Sequence, residues 1–185
     1  MRAPFARGKW IARQDGDDWS EPDRLERQMT FLAAHPGVVL CGTAAWRHRE
    51  DGSRLWRARV AESHAAILAA LERGNPFFHG SVVFLKSAAE RMGGYREQFP
   101  CSQDYDLFWR LAEAGEAANL GEALYHYRYC AGSVSASRSQ EHTRTGVARR
   151  RCRHLDDARL RGGSDRCVVR CFRRGCYASE GIVDR

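Results

Sequence analysis

The sequence predicts an α/β fold, a mixed sheet flanked by helices, over residues 1–135, followed by an Arg-rich tail at 136–185. Three observations carry this. Short β-branched, apolar runs alternate with stretches whose apolar residues recur at helical spacing, the pattern of a sheet covered by helices. Glycine, proline and an Asp-Gly pair punctuate the alternation. The charge also divides: residues 1–135 hold 17 Lys and Arg against 17 Asp and Glu, and residues 136–185 hold 13 against 6, so the net +7 belongs to the tail.

Lys9 to Ala12 reads as a strand end, with Trp10 and Ile11 as its apolar residues. Ser20, Pro22 and Asp23 have the Ser-x-x-Asp form of a helix start with proline in the first turn. Leu25, Met29 and Leu32 continue at helical spacing until His35-Pro36-Gly37, which predicts a helix over 22–34. Val38 to Thr43 is a strand, and Asp51-Gly52 within 46–59 predicts a hairpin turn. A helix follows over 62–73 and stops at Gly74. Phe77 to Leu85 reads as one strand interrupted by His79 and Gly80. Ser87 to Glu90 opens a short helix in capping-box form that Gly93-Gly94 closes. After Ser102, Leu107, Phe108, Leu111 and Ala114 mark a helix whose acidic start, Asp104 and Asp106, suits its positive end. Leu120 to Tyr129 reads as a final strand pair.

Several functional classes are set aside by composition. No apolar run approaches the roughly 20 residues of a membrane span, and Met1 to Gly8 is followed by no secretory signal. The expected location is the cytoplasm, with any peripheral membrane association at the inner face. The seven cysteines, Cys41, Cys101, Cys130, Cys152, Cys167, Cys171 and Cys176, include no Cys-x-x-Cys pair and read as thiols rather than zinc ligands. The run Arg149-Arg150-Arg151 lacks aromatic interleaving, so no nucleic-acid partner is expected and the tail reads as a disordered appendage.

Two acidic elements carry chemistry. Asp15-Gly16-Asp17-Asp18 places three carboxylates in one turn, where they repel unless a cation joins them. Mg²⁺ or Mn²⁺ takes oxygen ligands, one or two carboxylates completed by substrate phosphates and water, and glycine allows close backbone approach. A solvated acidic turn is the alternative. At 104–106, one carboxylate can act as a general base for an attacking hydroxyl, or both acids can simply stabilise the helix terminus. His79 is open to a site role or a core role. Trp10, Trp19, Tyr105 and Trp109 suit core packing more than stacking on a sugar.

The order of these segments resembles the second half of a family 2 glycosyltransferase. "ARGKWIARQDGDDWSEPDRLERQMTFLAAHPGVVLCGT" is followed by "NPFFHGSVVFLK", "GGYREQFPCSQDYDLFWRLAEAG" and "YHYRYCAGSVS", together covering about residues 3–135. The resemblance implies a GT-A type, Rossmann-like domain. It implies a nucleotide-sugar donor, a saccharide or lipid-linked acceptor, and Mg²⁺ or Mn²⁺ on the Asp-x-Asp. Asp15 and Asp17 would lie by ribose, diphosphate and metal, with Asp17 the direct ligand and Asp18 in support; His79 would belong to the same nucleotide-sugar site. Asp104 would deprotonate the acceptor hydroxyl in an inverting displacement, and Asp106 would hold the helix or an acceptor hydroxyl.

Two departures accompany it. Cys130 stands where the family commonly has histidine in a Tyr-Arg-x-His-x-Gly-Ser pattern. The strand-helix-strand unit that holds base and ribose in the family should precede Ala12, where 11 residues stand. The expectation is therefore a C-terminal part of a GT-A domain, incomplete and inactive alone, with a partner chain able to supply the missing half. The alternatives are a non-catalytic remnant that binds saccharide or a partner, and a nucleic-acid-binding protein acting through its tail.

Overall fold

The computed structural model describes residues 6–96 and 102–129. The tail at 136–185 and the departure at Cys130 lie outside the described residues. The elements in chain order are β1 (Trp10–Ala12), β2 (Trp19–Ser20), α1 (Arg24–Ala34), β3 (Val38–His48), β4 (Arg54–Ala58), α2 (His64–Leu71), β5 (Val83–Leu85), α3 (Lys86–Arg91), α4 (Gln103–Ala114) and β6 (Glu116–Arg128). The expected α/β class with a mixed sheet holds. The strands run in the order β1-β5-β3-β6-β2, with β4 on β3; the β3–β6 pair is parallel and the others are antiparallel.

Alternation along the central strands decides which helix covers which face. Leu40, Phe84 and Ala117 point to one side, where they pack with Ile67 and Leu71 of α2, Ala88 of α3, and Leu107, Phe108 and Leu111 of α4. Cys41, Val83 and Ala118, their neighbours in sequence, point to the other side and meet Leu32 of α1. Side chains one residue apart on a strand face opposite ways, so helices on both faces follow from apolar residues at both. Full burial of one such side chain contributes about 1.5–3 kcal/mol. Tyr105 and Trp109, 4% and 1% exposed, belong to this core rather than to a sugar-stacking surface. Burial in place of a solvated thiol pushes the Cys41 pKa up to about 12, as expected for an inert core cysteine.

Local signals held where the turn residue was unambiguous. Gly52 adopts φ 81° at the β3–β4 turn, and the Ser53 N–H donates to the Asp51 carboxylate at 2.8 Å. Such a left-handed position favours glycine, so Asp-Gly marked the hairpin correctly. Ser63 caps α2 by accepting from the Ala66 N–H.

Elsewhere long-range pairing overrode the local signal. Ser20 is not a helix cap: it lies in β2 opposite Tyr125, its hydroxyl donates to Gln14 Oε1 at 2.7 Å, and Asp23 stands at the N-cap of α1. Ser87 falls inside α3 rather than before it. The expected strand over 77–85 is divided into a single 3₁₀ turn at His79–Ser81 and the short β5. The expected final strand pair is one continuous strand, β6, that β3 and β2 flank.

Candidate active site

The acidic turn leaves the end of β1 and is braced from several directions. The Asp18 N–H donates to the Asp15 carbonyl at 3.3 Å. The Gln14 side-chain amide donates to the carbonyls of Asp15 and Asp18. Tyr125 on β6 donates its hydroxyl to Asp18 Oδ2 at 2.7 Å, and the Arg128 N–H donates to Asp18 Oδ1 at 2.8 Å. Burial raises the Asp18 pKa, with the charges of Asp17 and Asp15 adding to it, while those two hydrogen bonds act the other way. Burial, then the bond to Asp18, raises the Tyr125 hydroxyl. Asp18 is thus engaged in holding the turn to β6.

Asp15 and Asp17 are placed differently. Asp15 accepts from Arg13 Nη2 at 2.8 Å, and its other oxygen lies 3.9 Å from His79 Nδ1. Asp17 is exposed, and no hydrogen bond or ion pair among the described residues occupies its carboxylate. No group of three or more His, Cys, Asp or Glu side chains that could hold a metal exists among the described residues. Two hard oxygen donors in one turn, one of them uncommitted, fit an ion that draws its remaining ligands from phosphate and water, and do not form a protein-only cage.

His79 stands between the turn and α4. Its Nε2 is 3.0 Å from the Tyr95 hydroxyl, and its ring lies 5.8 Å from that of Phe108. Burial lowers the His79 pKa; the Asp104 charge opposes this and the Arg13 charge reinforces it. The neutral imidazole is therefore the favoured form at neutral pH. Burial likewise pushes the Tyr95 hydroxyl up to about 12. Asp104, in the first turn of α4, accepts from the Asn75 side-chain amide at 2.9 Å and acts electrostatically on both His79 and Tyr95. The structure thus brings Asp15 to His79, with Asp17 and Asp18 on the same turn and Asp104 on α4 acting on the imidazole through its charge.

Asp106 is engaged elsewhere. It is fully buried and accepts from Arg110 Nε at 3.0 Å and Nη2 at 2.5 Å, while Arg110 also donates to the carbonyls of Met92 and Gly94. It ties α4 to the end of α3. Trp19 covers His126 with rings 4.9 Å apart and stacked, on the side of β6 opposite to Tyr125.

Several positioning residues were not visible in the sequence. Arg24 and Gln28, both buried on α1, hold the 3₁₀ turn and the strand end together: Arg24 donates to the carbonyls of Ser81 and Arg13, each at 2.9 Å, and Gln28 donates to those of Cys41 and Ser81. Their i, i+4 spacing was a signal, but Arg and Gln on a helix ordinarily mark its solvated face. Gly80 matters for a related reason. A Cβ there would fall on the Tyr125 ring and hydroxyl and 3.0 Å from Asp15 Oδ2, so only glycine lets the turn approach both.

A mixed sheet with helices on both faces, carrying an acidic turn at the end of one strand and a helix with an acidic start, is a GT-A-like fold. The structure of S. aureus TarS 1-349 is similar in fold, with a TM-score of 0.51 at 13% identity over 67% of this chain and 37% of that one. Residues 3–93 match the family described as Glycosyl transferase family 2, and over that segment the chain belongs to it. EpsE of Bacillus subtilis (strain 168), described as a glycosyltransferase, is 40% identical over 126 residues, 66% of this chain and 44% of its own length. The amylovoran biosynthesis glycosyltransferase AmsE of Erwinia amylovora is 32% identical over 139 residues, 74% of this chain and 51% of its own length. The chain spans about half the length of these curated relatives. Among the described residues no helix is long and apolar enough to cross a membrane.

Proposed function

We propose that the chain carries the catalytic and acceptor side of an inverting, nucleotide-sugar-dependent glycosyltransferase. The observation that supports this reading best is the convergence of the acidic turn and Asp104 on His79. Asp17, with Asp15 beside it, would hold Mg²⁺ or Mn²⁺. Such an ion, when bound, neutralises the charge that develops on the departing nucleoside diphosphate.

The chain's own residues do the rest. Arg13 keeps Asp15 oriented, and Tyr125 with Arg128 fixes the turn through Asp18. His79, neutral and bonded to Tyr95, offers the donor sugar a hydrogen-bonding partner without adding charge. Asp104 takes the proton of the acceptor hydroxyl as that oxygen attacks the anomeric carbon opposite the leaving phosphate, which inverts the configuration.

Transfer also needs the nucleotide base and ribose held so that the reacting atoms are aligned. The outer edge of β1 has no strand partner among the described residues, so a further strand, from this or another chain, can pair there. The expected result is that residues 1–185 alone release no UDP or GDP from a panel of nucleotide-sugars. A chimera carrying the remainder of the B. subtilis relative releases it in the presence of acceptor and Mn²⁺. Turnover by residues 1–185 alone would remove the need for a partner half. A folded chimera that neither binds nor hydrolyses any nucleotide-sugar would remove the transferase reading, leaving a saccharide-binding module.

A further inference from the structure

The same side of the sheet that carries Tyr125 continues two residues along β6, about 7 Å, into a second cluster of aromatic and basic side chains. Trp56 on β4, Arg47 on β3 and Tyr127 on β6 lie directly opposite one another across three strands and so share a face. The Arg47 guanidinium sits 5.6 Å from the ring centres of Trp56, Tyr127 and Phe78. Phe78 is the residue before His79, so the cluster adjoins the site described above.

Among the described residues Arg47 is a cation without an anion. Its Nε is buried without a hydrogen-bond partner, and no carboxylate among the described residues pairs with it. Three aromatic faces compensate part of the cost of desolvating the charge and hold the guanidinium in place, but they give its buried Nε no hydrogen-bond acceptor. Arg47 and Trp56 line an open groove of about 760 Å³, together with Arg49, Leu55 and Tyr129. Glu50 and Asp51 stand at its hairpin end, where Asp51 is engaged in closing the turn. Trp56 and Tyr129 are 53% and 45% exposed, unusually so for large aromatic residues.

We propose that this groove seats an acidic acceptor saccharide, its ring lying on Trp56 and its carboxylate or phosphate received by Arg47. An exposed indole offers a flat apolar face that the C–H face of a pyranose covers, and a pre-oriented guanidinium receives a carboxylate or phosphate through paired N–H donors. Arg49 lies farther along the groove, where its charge acts on Asp51, which leaves Arg47 to receive the ligand's anion. The proposal rests on the glycosyltransferase reading for the word acceptor, because the groove abuts the turn that holds His79, and it rests on its own geometry for the ligand.

The test is calorimetric titration of the full 185-residue chain with four probes: cellobiuronic acid, its neutral counterpart cellobiose, glucose 1-phosphate and inorganic phosphate. The expected result is that at least one acidic saccharide binds about tenfold or more tightly than both cellobiose and inorganic phosphate, the worth of one charge-assisted contact. Arg47→Met removes that preference, Arg47→Lys weakens it, and Trp56→Ala, at an exposed position, weakens the acidic saccharide without altering thermal unfolding. Arg91→Met on α3 changes nothing. Equal binding of cellobiose and the acids, phosphate binding as tightly as the acidic saccharides, or a preference that survives Arg47→Met would each overturn the proposal. UDP with Mn²⁺ is titrated in parallel into the chimera that carries the remainder of the B. subtilis relative. Absence of UDP binding there, with acidic saccharide binding retained, defeats the transferase reading alone, and the reverse pattern defeats the groove alone.

Discussion

Asp104→Asn lowers the rate of sugar transfer by about 10² to 10⁴ in a chimera that transfers sugar, the usual cost of losing a general base. The substitution keeps the shape of the side chain and leaves an oxygen able to accept from the Asn75 amide, 2.9 Å away in the native chain. Nucleotide binding at the turn is therefore expected to persist while turnover fails, so kcat falls and the donor KM moves little. The role of Asp106 is separable: it is fully buried against Arg110, and its loss removes the carboxylate to which Arg110 Nε and Nη2 donate. Removal of one member of such a pair ordinarily costs about 3–5 kcal/mol, a defect of folding rather than of catalysis. Unchanged turnover in Asp104→Asn would remove it from the chemistry.

Gly80→Ala has the second large effect, through a different route. The added methyl group meets the Tyr125 ring and the Asp15 carboxylate, and neither yields easily. Tyr125 is fully buried and donates to Asp18, and Asp15 is held by Arg13. Overpacking of this kind costs about 1–3 kcal/mol. The displacement falls on the acidic turn itself, so thermal stability and metal-dependent nucleotide binding are expected to decline together. Gly74→Ala is the control, since a Cβ there meets nothing within 4 Å and leaves both measurements unchanged. Native stability and binding in Gly80→Ala would show that the turn does not depend on this close approach.

Much of this architecture was legible before any coordinates. Helix periodicity identified α1, α2 and α4, and Asp51-Gly52 identified the hairpin because a tight turn is chosen by its own residues. The acidic turn and Asp104 were legible for the same reason: both are local clusters of one charge at element ends. What failed was whatever depended on residues far away in the chain. Ser20 has the local form of a cap, yet pairing of Trp19–Ser20 with Tyr125 and His126 draws it into a strand. The run at 77–85 is apolar enough for one strand, yet His79–Ser81 forms a 3₁₀ turn in which Gly80 lies close against Tyr125. Arg24, Gln28 and Arg47 look like surface residues by type, and only the fold shows that carbonyls or aromatic rings surround them. The candidate site is thus written in two layers, acids that the sequence displays and buried polar residues that hold their turn in place.

The central claim is that Asp15 and Asp17 form, with a nucleoside diphosphate, a site for Mg²⁺ or Mn²⁺. Titration of Mn²⁺ into the chain, with and without UDP or GDP, tests it most directly. The account predicts weak Mn²⁺ binding alone, because Asp15 and Asp17 leave most of the shell to phosphate and water. It predicts clear strengthening by nucleotide, lost in Asp17→Ala and in the Asp15→Ala, Asp17→Ala double variant. Tight Mn²⁺ binding without nucleotide that survives the double substitution would contradict it.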